Sequence, residues 1–183
     1  MNILFPKIRP SRLPAMLAYA GVGAVLAGLY GAIHDEITYS ISSEYFTKVK
    51  FYQFEYADFG WPPRVFAAEV GFLATWWVGF FAAWFLARVA VPAFPPRAAF
   101  LHIVRGFAIV FACGLVAGAV GYGYGVLTDV NRIGAAWKDV AESLGINDAT
   151  AFARVAYIHN ASYLGGLVGL VFAILHLRRR RLH

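Results

Sequence analysis

Charge is scarce in this chain. Of its 183 residues only 14% are Asp, Glu, Lys or Arg, against roughly 25% in a soluble domain. Cysteine is nearly absent as well. Cys113 stands alone within an apolar run, which excludes an intramolecular disulfide and a thiolate metal cluster. The chain has no P-loop and no dinucleotide-binding glycine fingerprint. No serine sits in a G-x-S-x-G turn, so a nucleophile elbow is unsupported. Neither H-E-x-x-H nor E-x-x-H occurs. Apolar residues do not alternate strictly, which argues against a β-barrel.

What is abundant is apolar surface. The chain is 60% hydrophobic with a mean hydropathy of +0.61. Four apolar runs, at about 13–34, 65–91, 102–127 and 155–177, each exceed or match the roughly 20 helical residues that cross a bilayer core of about 30 Å. The chain therefore reads as an all-α integral membrane protein with four transmembrane helices. The first run follows a basic segment, as a signal peptide would. It is longer than the usual apolar core of about 7–15 residues, so it is expected to be retained.

The scarce charges are sorted. Lys7, Arg9, Arg12, Arg88, Arg97, Arg105 and Arg178 to Arg181 flank the runs on one side, with no acid among them. All ten acids fall on the other side with Lys48, Lys50, Arg64, Arg132, Lys138 and Arg154. The positive-inside rule then places both termini and the short middle loop in the cytoplasm of a bacterial inner membrane, with loops 35–64 and 128–154 outside. The basic tail is expected against anionic lipid heads. Because the basic residues are split among membrane flanks, nucleic acid is not an expected partner.

The first run is rich in glycine and alanine, which suits close packing against a neighbouring helix. In the first outer loop, alternation over 37–41 predicts an extended segment, and Ser42 or Ser43 an N-cap for a short helix from about 44 to 54. That helix is aromatic and reads as interfacial, with a lid over an outer pocket as the alternative. In the second loop, Ala136, Val140, Ala141 and Leu144 share one helical face, and Gly145 suits a C-cap.

The chain also echoes itself. Tyr30-Gly31-Ala32-Ile33-His34-Asp35 returns as Tyr124-Gly125-Val126-Leu127-Thr128-Asp129. At a slightly shorter offset Arg64-Val65 matches Arg154-Val155, Val78-Gly79 matches Val168-Gly169, and Glu69 falls on His159. The reading is a tandem duplication of two helix-loop-helix hairpins, 1–92 and 93–183, related by a pseudo-two-fold axis along the membrane normal.

Ionisable groups in a membrane are costly and mark functional sites by default. Glu69 lies within an apolar run without a charged neighbour in sequence, and His159-Asn160 is similar. Asp35 and Asp129 are expected to need a basic partner or a cation, because the dipole at a helix C-terminus disfavours a carboxylate. Arg64 and Arg154 are the candidate partners. The sharper reading groups His34, Asp35, Glu69 and His159 as ligands for zinc, iron or manganese, with Glu44, Asp129 and Asn160 completing a ligand-binding pocket. A haem reading pairs His34 with His159 and His102 with His176. The leading expectation is an outward-facing polar pocket for a cation or small ligand, without autonomous catalysis. The alternatives are a metal-dependent or haem-containing membrane enzyme, and an accessory subunit whose polar groups only tie helices together. A homo-oligomer or a membrane-protein partner would suit the glycine-rich faces.

Three stretches carry a resemblance: His34-Asp35-Glu36-Ile37-Thr38, Ser43-Glu44-Tyr45-Phe46 and Thr75-Trp76-Trp77-Val78-Gly79. Over about residues 30–80 the chain resembles a family of uncharacterised bacterial membrane proteins with the pattern N/H-D-Q-I-T, S-P-E-Y-F and T-W-W-F-G. The resemblance implies a four-helix inner-membrane protein and no particular activity. It raises Asp35 and Glu44-Tyr45-Phe46 as family features. Asparagine often stands in the family at the position of His34, which makes His34 the more expendable ligand.

Overall fold

A computed structural model describes residues 8–180, so Lys7 and Arg181 of the charge pattern lie outside the described residues. Four long helices dominate: Leu13–Ile41, Pro63–Ala93, Pro96–Leu127 and Ala149–Arg180. All four are long and apolar enough to cross a membrane, and no strand occurs among the described residues. Their outward faces carry exposed Leu17, Val25, Val116, Val120, Leu167 and Phe172. Apolar exposure on this scale is at home in lipid and costly in water.

The helices overrun the apolar segments. At about 1.5 Å per residue, lengths of 29 to 32 residues exceed a bilayer core of about 30 Å by several turns. The extra turns carry the polar residues. Residues 37–41, expected to be extended, belong to the first helix. Side chains in that turn support the helix: Thr38 Oγ1 lies 3.0 Å from the His34 carbonyl, and Ser40 Oγ donates to the Glu36 carbonyl at 3.1 Å. Ser42 ends the helix in an extended conformation (φ −148°, ψ 104°). The second and third helices begin at Pro63 and Pro96, where the missing N–H costs nothing.

The first helix packs along the second and the third along the fourth. A Cβ at Gly31 would strike the Gly71 carbonyl, and one at Gly71 the Gly31 carbonyl and, at 2.8 Å, Asp35 Cβ. Two turns in from there, Gly23 and Gly79 meet in the same way, so the two backbones are in antiparallel contact. Thr75 Oγ1 lies 2.7 Å from the Ala27 carbonyl across the pair. The main apolar core gathers at the basic end, around Met16, Leu86, Ile103, Phe107 and Leu177.

The outer loops are mostly helical. Residues 43–53 form one short helical segment whose middle, Phe46–Lys50, is a π-helical turn. Its N-cap is Ser42, without a side-chain hydrogen bond. The second loop holds the helix Val130–Leu144, closed by Gly145 in the left-handed conformation (φ 61°). Trp137 anchors it to the fourth helix by donating to Tyr157 Oη at 3.0 Å.

Candidate functional site

At the acidic end the first and fourth helices meet over a small polar cluster. His34, Asp35 and Thr38 come from the first helix and His159 and Tyr163 from the fourth. One ligand atom each from His34, Asp35 and His159 lie within 4.8 Å of one another. The Asp35 and His159 side chains are 4% and 1% exposed, with Oδ1 and Nε2 3.8 Å apart. Asp35 Oδ2 is buried without a hydrogen-bond partner. The His34 and His159 rings meet edge to face, with centroids 5.0 Å apart.

Two hydroxyls flank the His159 ring. Thr38 Oγ1 lies 3.0 Å from the His34 carbonyl, 3.3 Å from that of Asp35 and 3.2 Å from His159 Nε2. Nδ1 lies 3.5 Å from Tyr163 Oη. Lys50 Nζ donates to Tyr163 Oη, at 3.4 Å.

Lys50 is the group that sequence reasoning missed. It is 6% exposed, and its ammonium acts electrostatically on His34, Asp35 and His159. The π-helical turn presents Phe46 and Lys50 together to the cluster. Phe46 is fully buried, with its ring 6.3 Å from that of His159. Tyr45 lies 5.0 Å from the same ring, and burial pushes its phenol above the usual range. Tyr52, Tyr56 and Phe59 of the same loop point outward and are exposed. The loop thus covers the cluster with its inner face and carries exposed aromatic rings on its outer face. The only sequence signal for Lys50 was a lysine set within an aromatic run.

The remaining candidates lie elsewhere. Glu69 is half-buried with an unpartnered Oε2, outside the three-residue group. Arg64 does not pair with it or with Asp35. Its guanidinium holds Glu36 at 2.9 Å and Ser40 Oγ at 2.8 Å, and lies over the Tyr39 ring. Asp129 is exposed and caps the helix Val130–Leu144, accepting from the N–H groups of Asn131 and Arg132. Its expected partner, Arg154, instead donates to the Gly125 carbonyl at 3.2 Å. Asn160 is exposed. Glu44 joins the two loops: Oε1 accepts from the Asn147 N–H and side-chain amide, Oε2 from the Asp148 N–H, all at 2.9 Å. Those backbone donors hold its carboxyl below the usual range.

Three donors bonded to one ion at about 2.1 Å stand roughly 3.4 Å apart in a tetrahedral site. The widest of the separations among His34, Asp35 and His159, at most 4.8 Å, would therefore close by up to about 1.4 Å on loading, and the 3.8 Å between Asp35 and His159 by much less. One ring nitrogen of His159 would take the ion, leaving the other to an outer-shell hydroxyl, Thr38 at Nε2 or Tyr163 at Nδ1. Phe46 and Tyr45 occupy the space that a porphyrin beside His159 would need, so the outer histidine pair suits a small ion better than a haem. Compared with known proteins, the chain matches no family model, no curated protein and no solved structure, and the role of the cluster rests on its own geometry.

Proposed function

We propose that this chain is a multi-pass inner-membrane protein that binds a divalent transition-metal cation at His34, Asp35 and His159, beneath the lid of residues 43–53. One observation carries the reading: a buried carboxylate oxygen without a hydrogen-bond partner, beside two imidazoles. A charged carboxylate in such a place is strongly disfavoured unless a cation joins it or a proton neutralises it, and the two imidazoles beside it favour the cation. Two imidazoles and one carboxylate suit zinc, iron or manganese. The sorted basic residues support an orientation with both termini in the cytoplasm and the site toward the periplasm.

A second reading rests on Lys50. Its buried ammonium could itself supply the charge that Asp35 lacks, making the cluster an internal tie between lid and bundle. Metal analysis separates the two. Protein purified without chelators and then dialysed against zinc, manganese or ferrous iron is expected to retain about one equivalent. Asp35→Asn and His159→Ala should lose it while keeping their helical circular dichroism. Wild-type protein that retains no metal under any of these conditions would sink the metal reading and leave the tie.

A further inference from the structure

The opposite end of the bundle holds a second constellation. A cleft of about 290 Å³ opens between the third and fourth helices. Its rim carries His102, Arg105, His176 and Arg180, and its deeper wall is apolar, formed by Ala108, Ile109 and Ala173 among others. Helical spacing explains the layout. His102 and Arg105 are three apart on one helix, and His176 and Arg180 four apart on the other, so each pair shares a face. The two faces converge closely enough that Arg105, Arg180 and His176 all act electrostatically on His102. None of the ten acids lies at this end of the chain's helices to balance them.

Cationic groups that merely snorkel to a membrane surface would diverge toward water. Here two guanidinium groups and two imidazoles converge on one opening. The imidazole of His102 is held in place by the Phe94 ring, 4.3 Å away. The cleft is graded from basic at its mouth to apolar one or two turns deeper, along helices whose outer faces meet lipid. That gradient matches a phosphate joined to the upper part of an acyl chain. A free inorganic anion would use the mouth and leave the apolar wall without a partner.

We infer that this cleft is a headgroup site for one anionic glycerophospholipid. Its phosphate is taken by Arg105 and Arg180, which can fork onto phosphate oxygens. His102 and His176 donate the remaining hydrogen bonds. The glycerol and first acyl carbons lie against Ala108, Ile109 and Ala173. The inference is independent of the metal cluster at the other end.

The test is native mass spectrometry of the full chain released from nanodiscs of mixed phosphatidylglycerol and phosphatidylcholine, with thermal unfolding alongside. Wild-type protein is expected to carry one phosphatidylglycerol and to melt higher in its presence. Each arginine near an anionic headgroup contributes about fivefold in affinity, so Arg105→Gln/Arg180→Gln should reduce retention roughly 25-fold. Arg97→Gln removes a charge at the same end but outside the cleft, and should leave retention unchanged. Equal loss in both variants would mean diffuse surface attraction and overturn the site. Displacement of the lipid by millimolar inorganic phosphate would overturn the lipid assignment in favour of a free-anion site. A double variant that melts as wild type in phosphatidylcholine alone, yet loses the phosphatidylglycerol effect, confirms that the fold is intact and the site is gone.

Discussion

Replacing Gly71 with alanine tests the backbone contact on which the acidic end is built. A Cβ there would overlap the Gly31 carbonyl and stand 2.8 Å from Asp35 Cβ. Neither obstacle is the free end of a flexible side chain, so two long helices must separate to admit one methyl group. Overpacking of this kind costs about 1–3 kcal/mol, and rigid backbone on the far side argues for the upper end. Gly21→Ala and Gly166→Ala are the controls, because a Cβ at either position meets nothing within 4 Å. Those two should gain roughly 0.5–1 kcal/mol from helix propensity. Gly71→Ala gains the same propensity term, so its separation from the controls is the overpacking cost alone, about 2–3 kcal/mol. At about 2–4 °C per kcal/mol for a chain of this size, Gly71→Ala should melt roughly 4–12 °C below those controls in mild detergent. Metal retention should fall with it, because the new methyl presses on Asp35. If Gly71→Ala and Gly21→Ala melt together, the close approach of the first two helices is refuted.

Lys50→Met removes a buried positive charge beside the proposed metal site and should tighten zinc binding by roughly tenfold or more, read by competition with a chromophoric chelator. Weaker binding would show that Lys50 supports the ion and does not compete with it. Glu44→Gln should destabilise the protein at neutral pH. The carboxyl of Glu44 titrates below its usual value of 4.5 when folded. Its contribution is thus fully present above that value and lost as pH falls through the lower folded value. The melting difference between wild type and Glu44→Gln should shrink in acid, and a difference that persists at pH 3 would contradict the clamp. Arg64→Ala breaks the ion pair with Glu36, whose partners are 58% and 33% exposed. It should cost at most about 1 kcal/mol, and a larger loss in thermal melts would mean that the pair is shielded from water.

The four spans were legible because a run of twenty apolar residues is a one-dimensional signal that packing cannot hide. Their ends were less so. The apolar run stops near His34, yet the helix continues to Ile41, with Thr38 and Ser40 satisfying their hydroxyls on carbonyls of the preceding turn. This also separates the echoed aspartates. The first helix runs six residues past Asp35, which places that side chain inside the bundle. The third helix stops at Leu127, which leaves Asp129 to begin the next helix. Local identity was real, but helix length decided what each carboxylate touches. His34, Asp35 and His159 stood out as ionisable groups near apolar runs, where each residue is conspicuous alone. Lys50, Thr38 and Tyr163 did not, because their importance comes from convergence across the lid and two helices. The partners of Glu44 were not legible either, since the backbone N–H donors that hold it leave no mark in a sequence.

Glu44 sits at the head of the segment that buries Phe46 and Lys50, and its carboxylate grips the chain just before the fourth helix begins. Two loops more than a hundred residues apart in sequence are thus joined through one side chain. Its two oxygens take all three bonds, so a single proton on that carboxyl would weaken them together.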